Sequence, residues 1–262
     1  MVSSAATCLS VLLLTEDSGT KAFETLRGIA KELLKQVDEY VQTNKISFEP
    51  VRNELALQAL HANVWKSTKA RDRQKQVELI RTIATQVMLE DGWVLFHFDG
   101  DRAWGSRDSS ENVAKFQSLV RDKVRGLLVM TLTEQRAGSA SQEIEAHADA
   151  RVTRLKTVVP FYSIEAWLFQ NTREASRLCQ ERYGGRDVEQ FQAWAQDRTA
   201  LDEVLKPKEA VCLGAAHNLD LASTGFPARD VRAAGTSFTA VVEALNQDTE
   251  LREALARTYT YR

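Results

Sequence analysis

The sequence predicts an α/β fold built on a largely parallel sheet flanked by helices, and three observations predict it. Leu9 to Thr15 is a short apolar run that ends in polar residues, the pattern of a buried parallel strand. It is followed from Thr20 to Val41 by a segment with apolar residues at helical spacing, including Phe23, Leu26, Ile29, Leu33 and Val37. A strand running straight into an amphipathic helix opens a βαβ unit. Trp93-Val94-Leu95-Phe96-His97-Phe98 is an uninterrupted hydrophobic run suited to the centre of a sheet.

The remaining elements follow in order. Ile46–Val51 reads as a weak strand, which Pro50 limits to a sheet edge or a strand end. Helices are expected over Glu54–Lys66 and Asp72–Leu89, with the break after the second at Asp91-Gly92. Ser110–Val124 reads as a helix and Gly126–Leu132 as a further strand. Thr133–Ala150 reads as a mobile or helical insertion, and Leu155–Phe161 as a β-branched strand with Pro160 near its end. A helix then starts near Ser163, a suitable N-cap. Arg173–Tyr183, Val188–Gln196 and Thr239–Arg257 read as helices. The expected organisation is a core over residues 1–171, with a helical insertion near 52–90, and a mainly helical extension over 172–262.

The formal charge of −2 lacks the strong basic excess of an autonomous nucleic-acid binder, although a local basic face is compatible with it. The N-terminal apolar run is short and has no basic residues before it, so no signal peptide is expected. No stretch has the length needed to cross a bilayer, and a cytoplasmic protein is the expectation by elimination. The three cysteines, Cys8, Cys179 and Cys212, are widely spaced and predict neither a metal-ligand pair nor a disulfide set, with Cys8 in a buried strand.

Acidic residues follow the expected strands. Glu16 follows the first, Asp99-Gly100-Asp101 follows Trp93–Phe98, and Glu165 follows Leu155–Phe161. In open parallel sheets, ligands bind beyond the carboxyl ends of the strands. Residues two apart on an extended segment face the same side, so Asp99 and Asp101 are expected to present their carboxylates together. Clustered carboxylates repel unless a cation neutralises them, and oxygen ligands suit Mg²⁺ or Mn²⁺. Glu165 would complete that site or hold a second ion, an arrangement suited to phosphoryl transfer. Each acid also has an ordinary reading, because Asp-Gly is a turn signal and acids favour helix starts.

At these residues the sequence resembles the Toprim fold of topoisomerases, primases and some nucleases, which carries a Glu after its first strand and an Asp-x-Asp after a later one. Ser163-Ile164-Glu165-Ala166-Trp167-Leu168 resembles the Glu-Ala-Trp-Leu element of a bacterial group of small Toprim-like proteins. Lys206-Pro207-Lys208-Glu209 and Gly235-Thr236-Ser237-Phe238 are also similar to that group. Overcoming-lysogenisation-defect nucleases and the Toprim effectors of antiphage systems, which often work with an ABC-type ATPase, are the characterised analogues. The resemblance implies a Mg²⁺- or Mn²⁺-dependent nuclease acting on DNA or RNA within a defence complex. Asp99, Asp101 and Glu165 would hold metal, Glu16 would hold metal or act as general base, and Lys208 would assist electrostatically. The alternative is a catalytically silent module that docks an ATPase and senses nucleic acid or a phage protein. The near-neutral charge, and Asp17 where the family has Gly after its Glu, point that way.

Lys66, Lys69, Arg71, Arg73 and Lys75, with Arg102 and Arg107, either track a phosphate backbone or form a solvated face. Trp65 and Trp104 lie near these charges and are candidates to stack on bases, whereas Trp167 and Trp194 read as core. His97 reads as a hydrogen-bonded core histidine, with a group supporting Asp99 or a general base as the alternatives. Lys206 joins Lys208 as a candidate phosphate contact. No Walker loop, nucleophile elbow or zinc site is expected.

Overall fold

The computed structural model describes residues 9–102, 110–136 and 138–260. The chain is α/β, with a four-stranded parallel sheet flanked by helices. Strands β1 (Leu9–Thr15), β2 (Ile46–Pro50), β3 (Gly92–His97) and β4 (Leu155–Val158) lie in the order β2-β1-β3-β4. Cys8, Trp104 and Arg107 fall outside the described residues.

The chain divides into two compact units. The first comprises residues 1–18, 44–96 and 111–157; the second comprises 19–43, 97–110 and 158–262. Residues 19–43 group with the C-terminal helices.

The first unit carries the sheet. Every residue of β3 is buried, as its unbroken apolar sequence requires. β2 occupies the edge beside β1 in parallel register, from Leu9 opposite Ile46 to Leu13 opposite Pro50. An edge strand tolerates Pro50 because a missing N–H there breaks no ladder on its outer side. Helices α2 (Glu54–His61), α3 (Arg73–Met88), α5 (Asp122–Gln135) and α6 (Ser141–Val152) pack together, with α4 (Glu111–Phe116) leading into α5 through a π-helical turn at Gln117–Arg121. Gly126–Leu132, expected as a strand, lies within α5. Val124, Leu128 and Leu132 are buried four residues apart while Met130 is exposed, so the period is helical rather than continuous. Trp65 is also buried, edge-on to Phe96 and Phe116, and so lines no base-stacking surface.

The second unit is helical. α1 (Ala22–Val37) buries Leu26, Ile29, Ala30, Leu33 and Leu34. It packs on α12 (Asn218–Ser223), α13 (Ala228–Ala233) and α14 (Ser237–Asn246). Gly28 lies close against α12, where an added Cβ would meet Ala222 at 3.2 Å, a tight contact. The unit also holds α7 (Glu165–Leu168), α8 (Thr172–Tyr183), α9 (Val188–Gln196), α10 (Ala200–Glu203), α11 (Pro207–Ala210) and α15 (Thr249–Thr260). Trp167 and Trp194 are core residues, as their helical positions indicate. Among the described residues, no helix is long and apolar enough to cross a membrane.

β1 and β3 are parallel neighbours; Glu16 follows β1 within the first unit, and Asp99, which follows β3, belongs to the second. β4 ends at Val158, two residues before Pro160, whose ring nitrogen has no hydrogen to donate.

Candidate functional site

Three segments far apart in sequence converge in the second unit: 99–102, 160–165 and 202–209. The turn after β3 lies against the chain after β4. Asp101 N–H donates to the Tyr162 carbonyl at 3.0 Å, and Arg102 N–H to the Phe161 carbonyl at 3.2 Å. Gly100 is required by that approach, because a Cβ there would lie 2.5 Å from the carbonyl oxygens of both Pro160 and Phe161.

The Asp99 Oδ1 accepts the Ile164 N–H at 3.2 Å and lies 3.6 Å from His97 Nε2. The His97 side chain is wholly buried and that of Asp99 is 21% exposed. His97 thus takes the position of a buried neighbour to Asp99. Asp101 is exposed and has φ 49°, in the left-handed region. The two-residue alternation expected to align Asp99 with Asp101 applies to extended backbone, and Asp101 departs from it.

No sequence motif marks Tyr162. Burial first, then the charges of Asp101, Glu209 and Asp99, push its phenol above its ordinary range, while Lys206 opposes them. A half-buried phenol therefore feels both loop aspartates. At ordinary pH it remains a protonated hydrogen-bond donor.

Glu165 is wholly buried. Its Oε1 accepts from Lys208 Nζ at 3.0 Å and Asn218 Nδ2 at 2.9 Å, and its Oε2 from Ser163 Oγ at 2.7 Å. Burial pushes the carboxyl up, but Lys208, Asn218 and Ser163 together outweigh it and hold it below the ordinary carboxylate value. Ser163 donates to Glu165 rather than capping the helix, whose N-cap position is Ile164. Three donors thus engage the two Glu165 oxygens, and the carboxylate anchors Lys208. Asp99, Asp101 and Glu165 do not form a group of three ligand atoms within metal-binding reach.

A second polar centre fixes these segments. Ser237 Oγ donates to Asp202 Oδ1 at 2.9 Å and accepts from Trp167 Nε1 at 2.8 Å and Phe161 N at 3.1 Å. Asp202 Oδ2 accepts the Ser237 N–H at 2.7 Å, and burial raises the Asp202 carboxyl above its ordinary value. The 163–168, 206–209 and 235–238 segments are therefore joined through Glu165–Lys208 and Trp167–Ser237. Lys206 has φ 51° and pairs with Glu209 at 3.1 Å.

In the first unit, Glu16 follows β1 with its side chain 8% exposed and lies 3.6 Å from Lys66 Nζ. Lys66 also donates to Asn112 at 3.3 Å, so it belongs to a local polar contact rather than to an open basic face. Lys69, Arg71 and Lys75 line a surface depression of about 550 Å³ with Ser67 and Asp72. Lys69, Arg71 and Arg73 are exposed.

Among the described residues, the group of three side chains with ligand atoms in metal-binding reach is Cys179, Asp187 and Cys212, in the second unit. Their sequence separations carry no ligand-spacing signal, which is why the sequence does not point to them. No protein-family model matches the chain, and no curated protein or solved structure matches it.

Proposed function

We propose that the chain is a Mg²⁺- or Mn²⁺-dependent phosphodiesterase acting on DNA or RNA, with the Asp99–Asp101 turn holding the metal. The observation that carries this reading is the packing of the Asp99–Asp101 turn on the 161–164 segment, where Asp101 N–H donates to the Tyr162 carbonyl and Asp99 Oδ1 accepts the Ile164 N–H. That arrangement gathers negative charge at the loop beyond a buried strand, where a hard divalent cation binds favourably. A bound ion would supply phosphoryl-charge neutralisation and water activation.

The chain's own groups supply the remainder of the proposal. Tyr162 donates a hydrogen bond to a phosphoryl oxygen. Lys208, fixed by Glu165, provides positive potential, and Glu165 positions that lysine rather than ligating metal. In the first unit, the Toprim resemblance implies a ligand or general-base role for Glu16, and Lys69, Arg71 and Lys75 are candidate contacts for nucleic-acid backbone phosphates. The reading as an effector of an antiphage complex with an ABC-type ATPase partner rests on that same resemblance.

A silent binding module is the second reading. Lys66 beside Glu16 and Lys208 beside Glu165 favour it, because each lysine already balances a carboxylate expected to ligate metal. Cleavage of single- and double-stranded DNA and RNA by wild type and Asp101→Asn, with Mn²⁺ and with candidate ATPase present, separates the readings. Metal-dependent cleavage lost in Asp101→Asn supports the enzyme. Metal-independent nucleic-acid binding without cleavage supports the module.

A further inference from the structure

We propose that Cys179, Cys212 and Asp187 form a binding site for a zinc-class divalent cation, separate in chemistry from the acidic turn. The site is assembled by the end of α8. Gly184, at φ 67°, and Gly185, at φ 78°, reverse the chain, and the amides of both return to the Cys179 carbonyl. That reversal brings Asp187, which precedes α9, beside the wholly buried Cys179. Asp187 Oδ2 accepts the Cys212 N–H at 2.6 Å and draws the 211–213 segment alongside. The Cys212 and Cys179 sulfurs lie 2.7 Å apart, and one ligand atom from each of the three residues falls within 4.8 Å of the others.

Two thiolates and a carboxylate are a zinc-type donor set, and three protein ligands leave a fourth position for water. Cys212 is half-buried and the Asp187 side chain is 24% exposed, so the cluster has an approach from solvent. Two sulfurs on a tetrahedral zinc stand about 3.8 Å apart, given bonds near 2.3 Å, so the cysteines open by about 1 Å on loading. Arg186 Nε lies 3.4 Å from Asp187 Oδ2 at the edge of the cluster. A divalent cation completes the two-sulfur, one-carboxylate donor set. It takes the place of the two thiol protons, which pass to solvent. Once bound it ties the end of α8, the start of α9 and the 211–213 segment, which follows directly on α11 and Lys208.

The test is titration of Zn²⁺ and Co²⁺ into reduced, chelator-treated full-length protein. Wild type is expected to bind one equivalent, release about two protons near neutral pH, show a thiolate-to-cobalt charge-transfer band and melt at higher temperature. Cys212→Ser, at a half-buried position, should lose the band. Asp187→Asn keeps an acceptor for the Cys212 amide and should weaken binding at least about tenfold. Asp99→Asn and excess Mg²⁺ should leave zinc binding unchanged, which separates this site from the acidic turn. No stoichiometric uptake by wild type, or equal uptake by Cys212→Ser, would overturn the proposal. So would a Cys179–Cys212 disulfide that forms in preference to the zinc complex when zinc and glutathione disulfide are both present.

Discussion

The Lys208 ammonium lies 3.0 Å from a Glu165 carboxylate that is wholly buried, while the lysine is 43% exposed. The pair is asymmetric, and the asymmetry sets its pH dependence. Glu165 is held below its ordinary value of 4.5, so its contribution to stability is full above that value and is lost as pH falls through the lower folded value. In Lys208→Met, burial is opposed only by Asn218 and Ser163, and the carboxyl moves upward. The variant should lose about 1–3 kcal/mol at neutral pH, less than a fully buried pair because Lys208 reaches solvent. The gap from wild type should narrow between pH 7 and pH 4. Thermal melts across that range measure it, and a gap independent of pH would contradict the assignment.

Ser237→Ala should be strongly destabilising for a small change. It removes the acceptor for Trp167 Nε1–H and Phe161 N–H and the hydroxyl donor to Asp202. Orphaning two inward-facing donors costs about 2–4 kcal/mol. Urea unfolding is the measurement, and a loss below about 0.5 kcal/mol, the scale of an ordinary surface substitution, would remove the network from the fold's support.

Gly100→Ala and Gly19→Ala form a matched pair. The first places a methyl 2.5 Å from two carbonyl oxygens, while the second meets nothing within 4 Å. The first should cost about 1–3 kcal/mol through forced backbone movement, and the second should lie near zero or slightly above wild type. Equal denaturation midpoints for the two variants would contradict the close approach of the 99–102 and 160–162 segments.

The exposed basic group makes a salt-dependent prediction. If Lys69 and Arg71 contact phosphates, Lys69→Glu with Arg71→Glu should weaken binding similarly across sequences and reduce the salt slope by about 2, close to one per lost contact. Fluorescence anisotropy at several salt concentrations reads both quantities. An unchanged slope would assign these residues to a solvated face.

The α/β class was legible because β1, β3 and the first long helix carry patterns that packing does not override. Gly126–Leu132 was not, because an apolar run shows no period on its own; the burial of Val124, Leu128 and Leu132 with Met130 exposed reveals a helical one. At the candidate site, the position of Asp99 after a buried strand could be read from the sequence. The orientation of Asp101 could not, since it depends on a left-handed residue held by Tyr162. Glu165 follows β4 in sequence, but its engagement by Lys208 and Asn218 depends on contacts spanning 43 and 53 residues. Tyr162 and the Cys179–Asp187–Cys212 cluster carry no spacing signal at all.

Asp99→Asn tests the central claim most directly. Asn keeps the Oδ1 acceptor for the Ile164 amide, so the turn and its contact to α7 should survive while the charge is removed. The paired measurement is thermal melting with and without Mg²⁺, and nucleic-acid cleavage with Mn²⁺ and any required ATPase present. A metal-dependent phosphodiesterase predicts that Mg²⁺ stabilises wild type but not Asp99→Asn, and that the folded variant loses cleavage by at least about a hundredfold, the scale of a lost transition-state charge contact. A folded Asp99→Asn protein that cleaves as wild type does would contradict it.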